Sequence, residues 1–342
     1  MNDIMMDLNR MLELIILPTE QCDCRCIYCA QEFKVQKMLP QTVGGIKRLL
    51  ENRIPELDKF TVQWFGGEPL LASDIIIDVM QHIQNLKSAN NSDLNIIGMM
   101  TTNATHLKPK LLNTLTMLGV NNYQITLDGD KEYHDKLRVK ANGIGTFDLI
   151  WDNLLAAHST KCSFDIMMRL HVNKDNNDSM RRLLLRTKNE IGPDTRFSVY
   201  IRPLSKYGGP NDSKLPICNG NTPILELRRF ASKLGLNVVK FNPYDSAQEY
   251  VCYAAKPYSY VIRSNSWITK CTVVLNADYN KIGILNPDGT MQLDNLKISE
   301  WSKGLFSGDK DALACPSKVI REERDNLLRK NDPNKIVLKV LV

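Results

Sequence analysis

The chain has 342 residues, of which 43% are hydrophobic and 24% are charged, and it carries a net charge of +6. This ordinary globular composition suits one large domain with an appendage, or two domains. The longest apolar runs, such as residues 11–16, are too short for a transmembrane helix, and the N-terminus MNDIMMDLNR lacks the basic start and apolar core of a signal peptide. We therefore expect a cytoplasmic protein without a membrane partner. A nucleic-acid partner is disfavoured, because the sequence has no dense basic stripe with interleaved aromatic residues.

Strand-like and helix-like segments alternate through the first two thirds of the chain. The predicted strands are residues 11–16, 60–65, 95–102, 122–127, 164–172 and 196–201, and the predicted helices lie near 41–53, 73–87, 107–118, 145–158 and 178–190. Strands that alternate with helices indicate parallel βαβ units. The predicted fold class is α/β, and six such units favour a partial (β/α)6 barrel of the TIM type over an open sheet.

The pattern changes after a predicted helix at residues 223–235. Hairpin-like segments follow from about residue 250, namely YSYVIRSNSWITKCTVVL and KIGILNPDGTMQL. The charged segment 321–335 predicts a solvated terminal helix that ends in a turn. We predict two domains, a barrel over residues 1–235 and a second domain with the C-terminal tail over residues 236–342.

Four of the nine cysteines lie within eight residues, in the segment EQCDCRCIYC directly after the first predicted strand. In a reducing compartment, clustered cysteines indicate metal or redox chemistry before disulfides. A structural zinc site usually takes two separated Cys-x-x-Cys pairs, and this segment has one such pair without a matching partner. An iron–sulfur cluster can instead be held by three thiolates from one loop, which leaves one iron open.

The spacing Cys22-x3-Cys26-x2-Cys29 is the one that radical S-adenosylmethionine (SAM) enzymes use, and the chain resembles that family. The resemblance implies that these three cysteines ligate a 4Fe-4S cluster with one iron open to SAM. Cys24 is then a bystander, because a fourth ligand would close the open site. Tyr28 matches the aromatic residue usual before the last cysteine, which packs near the adenine.

Four further segments at the ends of predicted strands carry the same resemblance: GGEP (66–69), TTNAT (101–105), TLDGDKEYHDKLR (126–138) and RLHVNKDN (169–176). Barrel enzymes build their active sites at these strand ends. The glycines of GGEP allow the backbone to approach the ligand, and Glu68 supplies an acceptor for the ammonium group of SAM. Asn103 would reach the ribose region, and Arg138 would pair with the carboxylate. The cofactor-binding residues implied by the match are Tyr28, Gly66, Gly67, Glu68, Pro69, Asn103, Thr126, Asp128 and Arg138.

The resemblance also implies the reaction. One electron from the reduced cluster, supplied by a reductant such as flavodoxin or ferredoxin, cleaves the sulfonium bond of SAM. The products are methionine and a 5′-deoxyadenosyl radical, which abstracts hydrogen from an unactivated C–H bond. The cofactor carries the difficult chemistry, and the protein supplies orientation and a dry pocket.

Three cysteines in the last third of the chain, Cys252, Cys271 and Cys315, follow an order that resembles the SPASM domain or its shorter form, the twitch domain. A full SPASM domain has more cysteines, so the resemblance implies one auxiliary iron–sulfur cluster ligated by these three. Its fourth ligand could be Cys218, another side chain or a vacancy. The alternative is that the three are buried free thiols. Cys162 is expected to be a core thiol.

The resemblance narrows the substrate to peptides and proteins. Sulfatase maturases usually carry an aspartate base immediately after the cysteine that ends the first hairpin, and here Thr272 follows Cys271. The segments RPLSKYGG and WITKCTVVLNADYNKIGILNPDG are more similar to peptide-crosslinking maturases, including those that form cyclophanes. We therefore expect a maturase that forms an intramolecular C–C, ether or thioether crosslink in a ribosomally made precursor peptide. The alternatives are a sulfatase-maturase-like oxidase and a non-catalytic iron–sulfur electron-transfer protein, which would not need the GGEP or TTNAT segments.

Peptide maturases often carry a separate recognition domain for the leader peptide, and only ten residues precede the first predicted strand. We expect a leader, if one is bound, to add to an exposed strand edge by β-augmentation. The tail KIVLKVLV is one candidate for such an edge, and the alternative is that it packs in the core.

Overall fold

The structure, a computed structural model, describes residues 8–90, 92–239 and 250–330. Its strands are β1 (Met11–Ile16), β2 (Lys59–Trp64), β3 (Asn95–Thr102), β4 (Val120–Leu127), β5 (Asp165–Val172), β6 (Phe197–Pro203), β7 (Ser259–Ile262), β8 (Trp267–Thr269), β9 (Lys281–Leu285) and β10 (Met291–Leu293). Its α-helices are α1 (Pro40–Arg53), α2 (Ser73–Asn90), α3 (Pro109–Met117), α4 (Lys131–Leu137), α5 (Phe147–His158), α6 (Asn177–Glu190), α7 (Thr222–Lys233), α8 (Asn295–Ser307), α9 (Lys310–Ala314) and α10 (Pro316–Lys330). Within the described ranges, no helix is long and apolar enough to cross a membrane.

The first six strands are parallel neighbours in chain order, each joined to the next by one or two helices. Proline at the first turn of α1 and α3 favours helix initiation there, because its missing N–H has no helical partner in any case. The largest fully buried side chains include Phe60, Trp64 and Trp151, which belong to the core between the sheet and its helices. The predicted α/β class with a partial (β/α)6 barrel is confirmed.

The C-terminal strands continue the same sheet. Strand β7 pairs in parallel with β1, and β8, β9 and β10 then add as an antiparallel meander. The predicted hairpins are therefore present, and they share a sheet with the barrel. The predicted domain boundary near residue 235 stays a prediction, and the tail KIVLKVLV lies outside the described residues.

Two helices that the sequence did not predict have clear local causes. Helix α4 lies within the polar segment TLDGDKEYHDKLR, and the Asp130 carboxylate accepts the N–H of Tyr133 at its start. Helix α8 begins in the same way at Asp294 and ends at Gly308, which has a φ of 70°. Side-chain caps at the start and a left-handed glycine at the end are strong helix signals. The predicted terminal helix begins earlier than expected, at Pro316.

Candidate active site

A cavity of about 340 Å³ lies at the carboxyl ends of the parallel strands. The predicted site residues that line it are Cys22, Cys26, Tyr28, Cys29, Gly66, Gly67, Asn103, Thr126 and Arg138. The structure therefore brings together residues from the first cysteine segment and from the ends of three strands. Those that do not line the cavity are Glu68, Pro69, Asp128, Cys252, Cys271 and Cys315.

The first cysteine segment is a loop after β1 that is held by backbone hydrogen bonds. Arg25 and Ile27 donate their N–H groups to the carbonyl oxygens of Val139 and Leu137, at 2.7 and 2.9 Å. The N–H of Cys29 donates to the carbonyl of Cys26 at 3.0 Å. These bonds fix the loop so that the Cys22, Cys26 and Cys29 side chains reach the cavity.

The thiols of this loop lie in a buried environment that disfavours thiolates in the protein alone. Burial raises the pKa of Cys26 to about 12 and also raises the pKa of Cys29. A thiolate buried in this way needs a nearby positive charge, which iron ions supply. The donor set of three soft sulfur atoms around one cavity fits an iron–sulfur cluster.

Cys24, the fourth thiol of this loop, is 1% exposed. Its N–H lies 3.4 Å from Cys22 Sγ, and its own Sγ lies 3.2 Å from Asn103 Nδ2. The hydrogen bond between the two thiols lowers the pKa of Cys22 and raises that of Cys24. Cys24 also lines the cavity. Its predicted role as a bystander stays a prediction.

The GGEP segment supports the cavity mainly through its backbone. A Cβ atom at Gly66, whose φ is 131°, would collide with the carbonyl oxygen of Thr19. The Glu68 carboxylate is fully buried and accepts hydrogen bonds from the N–H groups of Leu70 and Asn103, at 2.9 and 2.6 Å, and from a threonine hydroxyl. Glu68 therefore connects the ends of β2 and β3, and its predicted contact with an ammonium group stays a prediction.

A buried polar network connects Tyr28, Asp128, Arg138 and His171 behind the cavity. The Tyr28 hydroxyl donates to Asp128 Oδ2 at 2.7 Å and accepts from Arg138 Nη1 at 2.7 Å, while His171 Nδ1 lies 3.1 Å from Asp128 Oδ1. Burial raises the pKa of Asp128, but the hydrogen bond from His171 and the charge of Arg138 outweigh it, and the pKa falls to about 2. Burial lowers the pKa of His171 to about 4, so its ring is neutral at pH 7. Asp128 does not line the cavity itself, and it therefore influences the cavity by holding the Tyr28 and His171 side chains in place.

Sequence reasoning missed a group of polar side chains on the inner face of the barrel. Gln63, Thr101, Gln124, Arg169 and His171 come from strands β2 to β5 and line the cavity. Thr101 Oγ1 lies 3.5 Å from the side-chain nitrogens of Gln63 and Gln124. Polar residues at alternate positions of strands that are otherwise apolar are a signal with a period of two, which could have identified them.

The C-terminal cysteines come from three separate segments. The N–H of Cys252 donates to the carbonyl of Leu313 at 2.9 Å, and the hydroxyls of Tyr253 and Thr272 lie 2.8 Å apart. Burial, together with the nearby Cys271 and Cys315 thiols, raises the pKa of Cys252 to about 11. The three thiols are therefore near enough to influence one another electrostatically, and their role as ligands of one cluster stays a prediction.

The alternative fourth ligand, Cys218, lies near Asp175, and burial together with the charge of Asp175 raises the pKa of that thiol. Among the described residues, three metal-binding side chains converge within 4.8 Å only at Cys22, Asp23 and Cys24. Cys162 packs against the main core, as expected.

Comparisons with known proteins agree with this architecture. The sequence profile of the Radical SAM superfamily matches residues 16–184. A cysteine-type anaerobic sulfatase-maturating enzyme of Clostridium novyi (strain NT) is 28% identical over 212 residues, which cover 59% of this chain and 54% of that protein. The chain spans about half the length of the curated relatives it matches.

Two solved structures share the fold. The structure of anSMEcpe with bound AdoMet and a peptide called Cp18Cys has a TM-score of 0.60 and 18% identity, and the match covers 85% of this chain and 80% of that one. SuiB of Streptococcus suis, bound to S-adenosylmethionine, has a TM-score of 0.61 and 18% identity, with 87% and 68% covered. We conclude that the chain carries a Radical SAM superfamily domain over residues 16–184, that it shares the fold of anSMEcpe and SuiB, and that its first cysteine loop fits the iron–sulfur cluster and SAM of that superfamily.

Proposed function

We propose that this enzyme is a peptide maturase that forms an intramolecular crosslink in a ribosomally made precursor peptide. The observation that carries this proposal is the chemistry of the cavity wall. Among the described residues, no aspartate or glutamate lines the cavity, and Thr272 lies at the position after Cys271 where sulfatase maturases usually carry their base. The Thr272 hydroxyl is bonded to Tyr253. A reaction that removes a proton from substrate through a carboxylate is therefore disfavoured.

The residues of the cavity fit the cofactors. Cys22, Cys26 and Cys29 would hold the 4Fe-4S cluster, and Arg138 would pair with the carboxylate of SAM. When bound, the reduced cluster and SAM supply the radical that removes hydrogen from a C–H bond. Gly66 and Gly67 leave room for the ligand to approach the backbone, because neither has a Cβ atom.

The protein's own contribution is positioning. The network around Asp128 fixes Tyr28 and Arg138, both of which line the cavity, in one orientation. Phe33, Phe65 and Val273 supply apolar wall that excludes water from a reactive radical. A flavodoxin or ferredoxin would deliver the electron from outside.

Cys252, Cys271 and Cys315 would hold one auxiliary iron–sulfur cluster. Cys271, one of these ligands, directly precedes Thr272 and Val273, which line the cavity. The auxiliary cluster would therefore be held by a residue adjacent in sequence to the cavity wall. Crosslink formation removes two hydrogen atoms from the peptide, one to the radical and one as a proton and an electron. An auxiliary cluster at this place is suited to accept that electron.

A sulfatase-maturase-like protein oxidase is the second candidate. The 28% identity with the Clostridium novyi enzyme favours it, since that protein is described as sulfatase-maturating. The two candidates differ in product. Oxidation leaves a carbonyl group that a hydrazine reagent traps, whereas a crosslink leaves no carbonyl and prevents backbone fragments between the linked residues from separating.

The test is to co-produce the enzyme with each short peptide encoded next to its gene and to analyse the peptides by tandem mass spectrometry. We expect the loss of two hydrogen atoms, no hydrazine adduct, and missing fragment ions between two side chains. A hydrazine-reactive product would favour the oxidase. Unmodified peptides, with SAM still cleaved by the reduced enzyme, would contradict the peptide substrate.

A further inference from the structure

Arg169 on β5 is a cavity-lining side chain without a charged partner in the described part of the chain. One of its Nη atoms donates to the Tyr207 hydroxyl at 3.1 Å. Its Nε atom is buried and has no hydrogen-bond partner among the described residues. The nearby charged group that acts on Arg169 is another arginine, Arg202, and no carboxylate balances its charge.

Other arginines in similar surroundings are compensated. Arg263 makes a bidentate pair with Glu20 at 2.9 and 2.7 Å, and Arg196 pairs with Asp194 at 2.6 Å. Buried charges in proteins are paired, because an unpaired charge loses its hydration without replacement. Burial and the charge of Arg202 together lower the pKa of Arg169, which is the expected sign for an uncompensated cation.

The position of Arg169 relates it to a second cavity. This cavity, of about 580 Å³, lies between the segment around residues 30–35 and the segment around residues 273–278. The wall residues that it shares with the first cavity are Ala30, Gln31, Phe33, Tyr207 and Val273. Tyr207, the partner of Arg169, therefore belongs to both cavities. A chain that enters through the second cavity would meet Tyr207 at the shared wall, and Arg169 lies next to Tyr207 on the side of the first cavity.

We propose that Arg169 binds a carboxylate of the substrate peptide, from an aspartate or glutamate side chain or from the C-terminus, at the wall between the two cavities. The proposal rests on the peptide substrate proposed above. A guanidinium group binds a carboxylate through two parallel N–H donors, and Arg169 has a free Nε to offer beside an Nη. Among the described residues, the wall of the first cavity has no acidic side chain that would repel the incoming carboxylate. Three acidic side chains line the second cavity, Glu20, Glu32 and Asp278, and the first two are paired with Arg263 and Lys34. Arg169 would thus determine which residue of the peptide faces the reaction space.

The test uses synthetic peptide pools, because the peptide is unidentified. In the pools Ac-XXXX-Asp-XXXX-NH2 and Ac-XXXX-Asn-XXXX-NH2, X is any residue except Asp and Glu; a third pool has central Asn and a free C-terminal acid. Each pool is dialysed to equilibrium against the full, reconstituted, SAM-loaded protein. Mass spectrometry then measures how much peptide is retained on the protein side. We expect one carboxylate pool to be retained roughly ten- to a hundredfold more than the neutral pool, the range for a charged hydrogen bond. Preference for the Asp pool or the free-acid pool identifies the source of the carboxylate.

In the Arg169→Gln variant the preference should disappear, while Arg169→Lys should keep part of it. Arg228→Gln is the matched control, because Arg228 is a half-buried arginine that donates to the Ile201 carbonyl and does not line either cavity. Equal retention of all pools by the wild-type enzyme would overturn the proposal. An Arg169→Gln variant that keeps the preference for the carboxylate pool would also overturn it. If that variant keeps the preference and loses SAM binding, Arg169 serves the cofactor instead of the peptide.

Two measurements separate this proposal from the proposed function and from misfolding. SAM cleavage and product formation test the function without reference to Arg169. The melting temperature of the unliganded Arg169→Gln protein should stay close to that of the wild type, because removal of a partly buried, uncompensated charge offsets the loss of the hydrogen bond to Tyr207. A melting temperature that falls further than the loss of this one hydrogen bond explains would mean that Arg169 has a charged structural partner, and the premise would be wrong.

Discussion

The two cysteine groups of this enzyme are built in different ways. Cys22, Cys26 and Cys29 lie within eight residues of the loop that follows β1, and backbone bonds hold this loop to the end of α4 and the residues just beyond it. Cys252, Cys271 and Cys315 come from three segments that are far apart in the chain. The first group depends on local geometry, and the second depends on tertiary contacts.

Those tertiary contacts are few and specific. Tyr253 and Thr272, which directly follow Cys252 and Cys271, bond to each other through their hydroxyls, and the N–H of Cys252 bonds to Leu313, two residues before Cys315. A buried ion pair, Glu20 with Arg263, joins the segment before the first group to the segment before Cys271. Substitutions far from the cysteines should therefore disrupt the second group more easily than the first, which is formed by one loop.

The largest effect is expected from removing the first group. A Cys22/Cys26/Cys29→Ala variant should lose SAM cleavage completely, because no other described thiols form a three-ligand set at the cavity. After anaerobic reconstitution, iron per chain should fall from about eight to about four. Cys162→Ala is the control and should keep both values. A triple variant that still cleaves SAM would show that the loop does not hold the reactive cluster.

Removing the second group should separate two activities. A Cys252/Cys271/Cys315→Ala variant should also lose about four irons, but it should keep SAM cleavage and lose the modified peptide. The measurements are iron and sulfide content, 5′-deoxyadenosine release and product mass. Unchanged iron content would identify these three cysteines as packing residues.

The same contrast explains what the sequence predicted and what it could not. Thiol spacing within one loop is visible in the sequence, and the strand–helix alternation indicated the barrel. The inner polar residues Gln63, Gln124 and Arg169 lie on three different strands, and only the folded barrel brings them together. The pairing of β7 with β1 joins segments almost 250 residues apart, and no local pattern encodes such a contact.

The ion pair between the two regions should be important for stability. Arg263 and Glu20 side chains are 3% and 7% exposed, so Arg263→Gln leaves a buried carboxylate without its partner. Loss of one member of a buried pair typically costs about 3–5 kcal/mol in the free energy of unfolding. Chemical denaturation measures this value. Adding Glu20→Gln should recover part of it.

A surface pair provides the control for that measurement. Arg324 and Glu300 lie 3.1 Å apart with side chains that are 44% and 47% exposed. Arg324→Gln should cost less than about 1 kcal/mol, as exposed pairs do. Equal losses for Arg263→Gln and Arg324→Gln would contradict the importance of the buried pair.

A small effect is expected at the hydroxyl pair that connects two of the C-terminal cysteine segments. Thr272→Ala removes its bond to Tyr253 and should lower the free energy of unfolding by about 1 kcal/mol, the usual value for one hydrogen bond. Tyr253→Phe removes the other partner, so a double-mutant cycle isolates the bond itself. Measured on the protein with and without reconstituted iron, the coupling energy should be favourable in both states, because the bond precedes the cluster. A coupling energy found only with iron would mean that the cluster, and not the fold, brings these segments together.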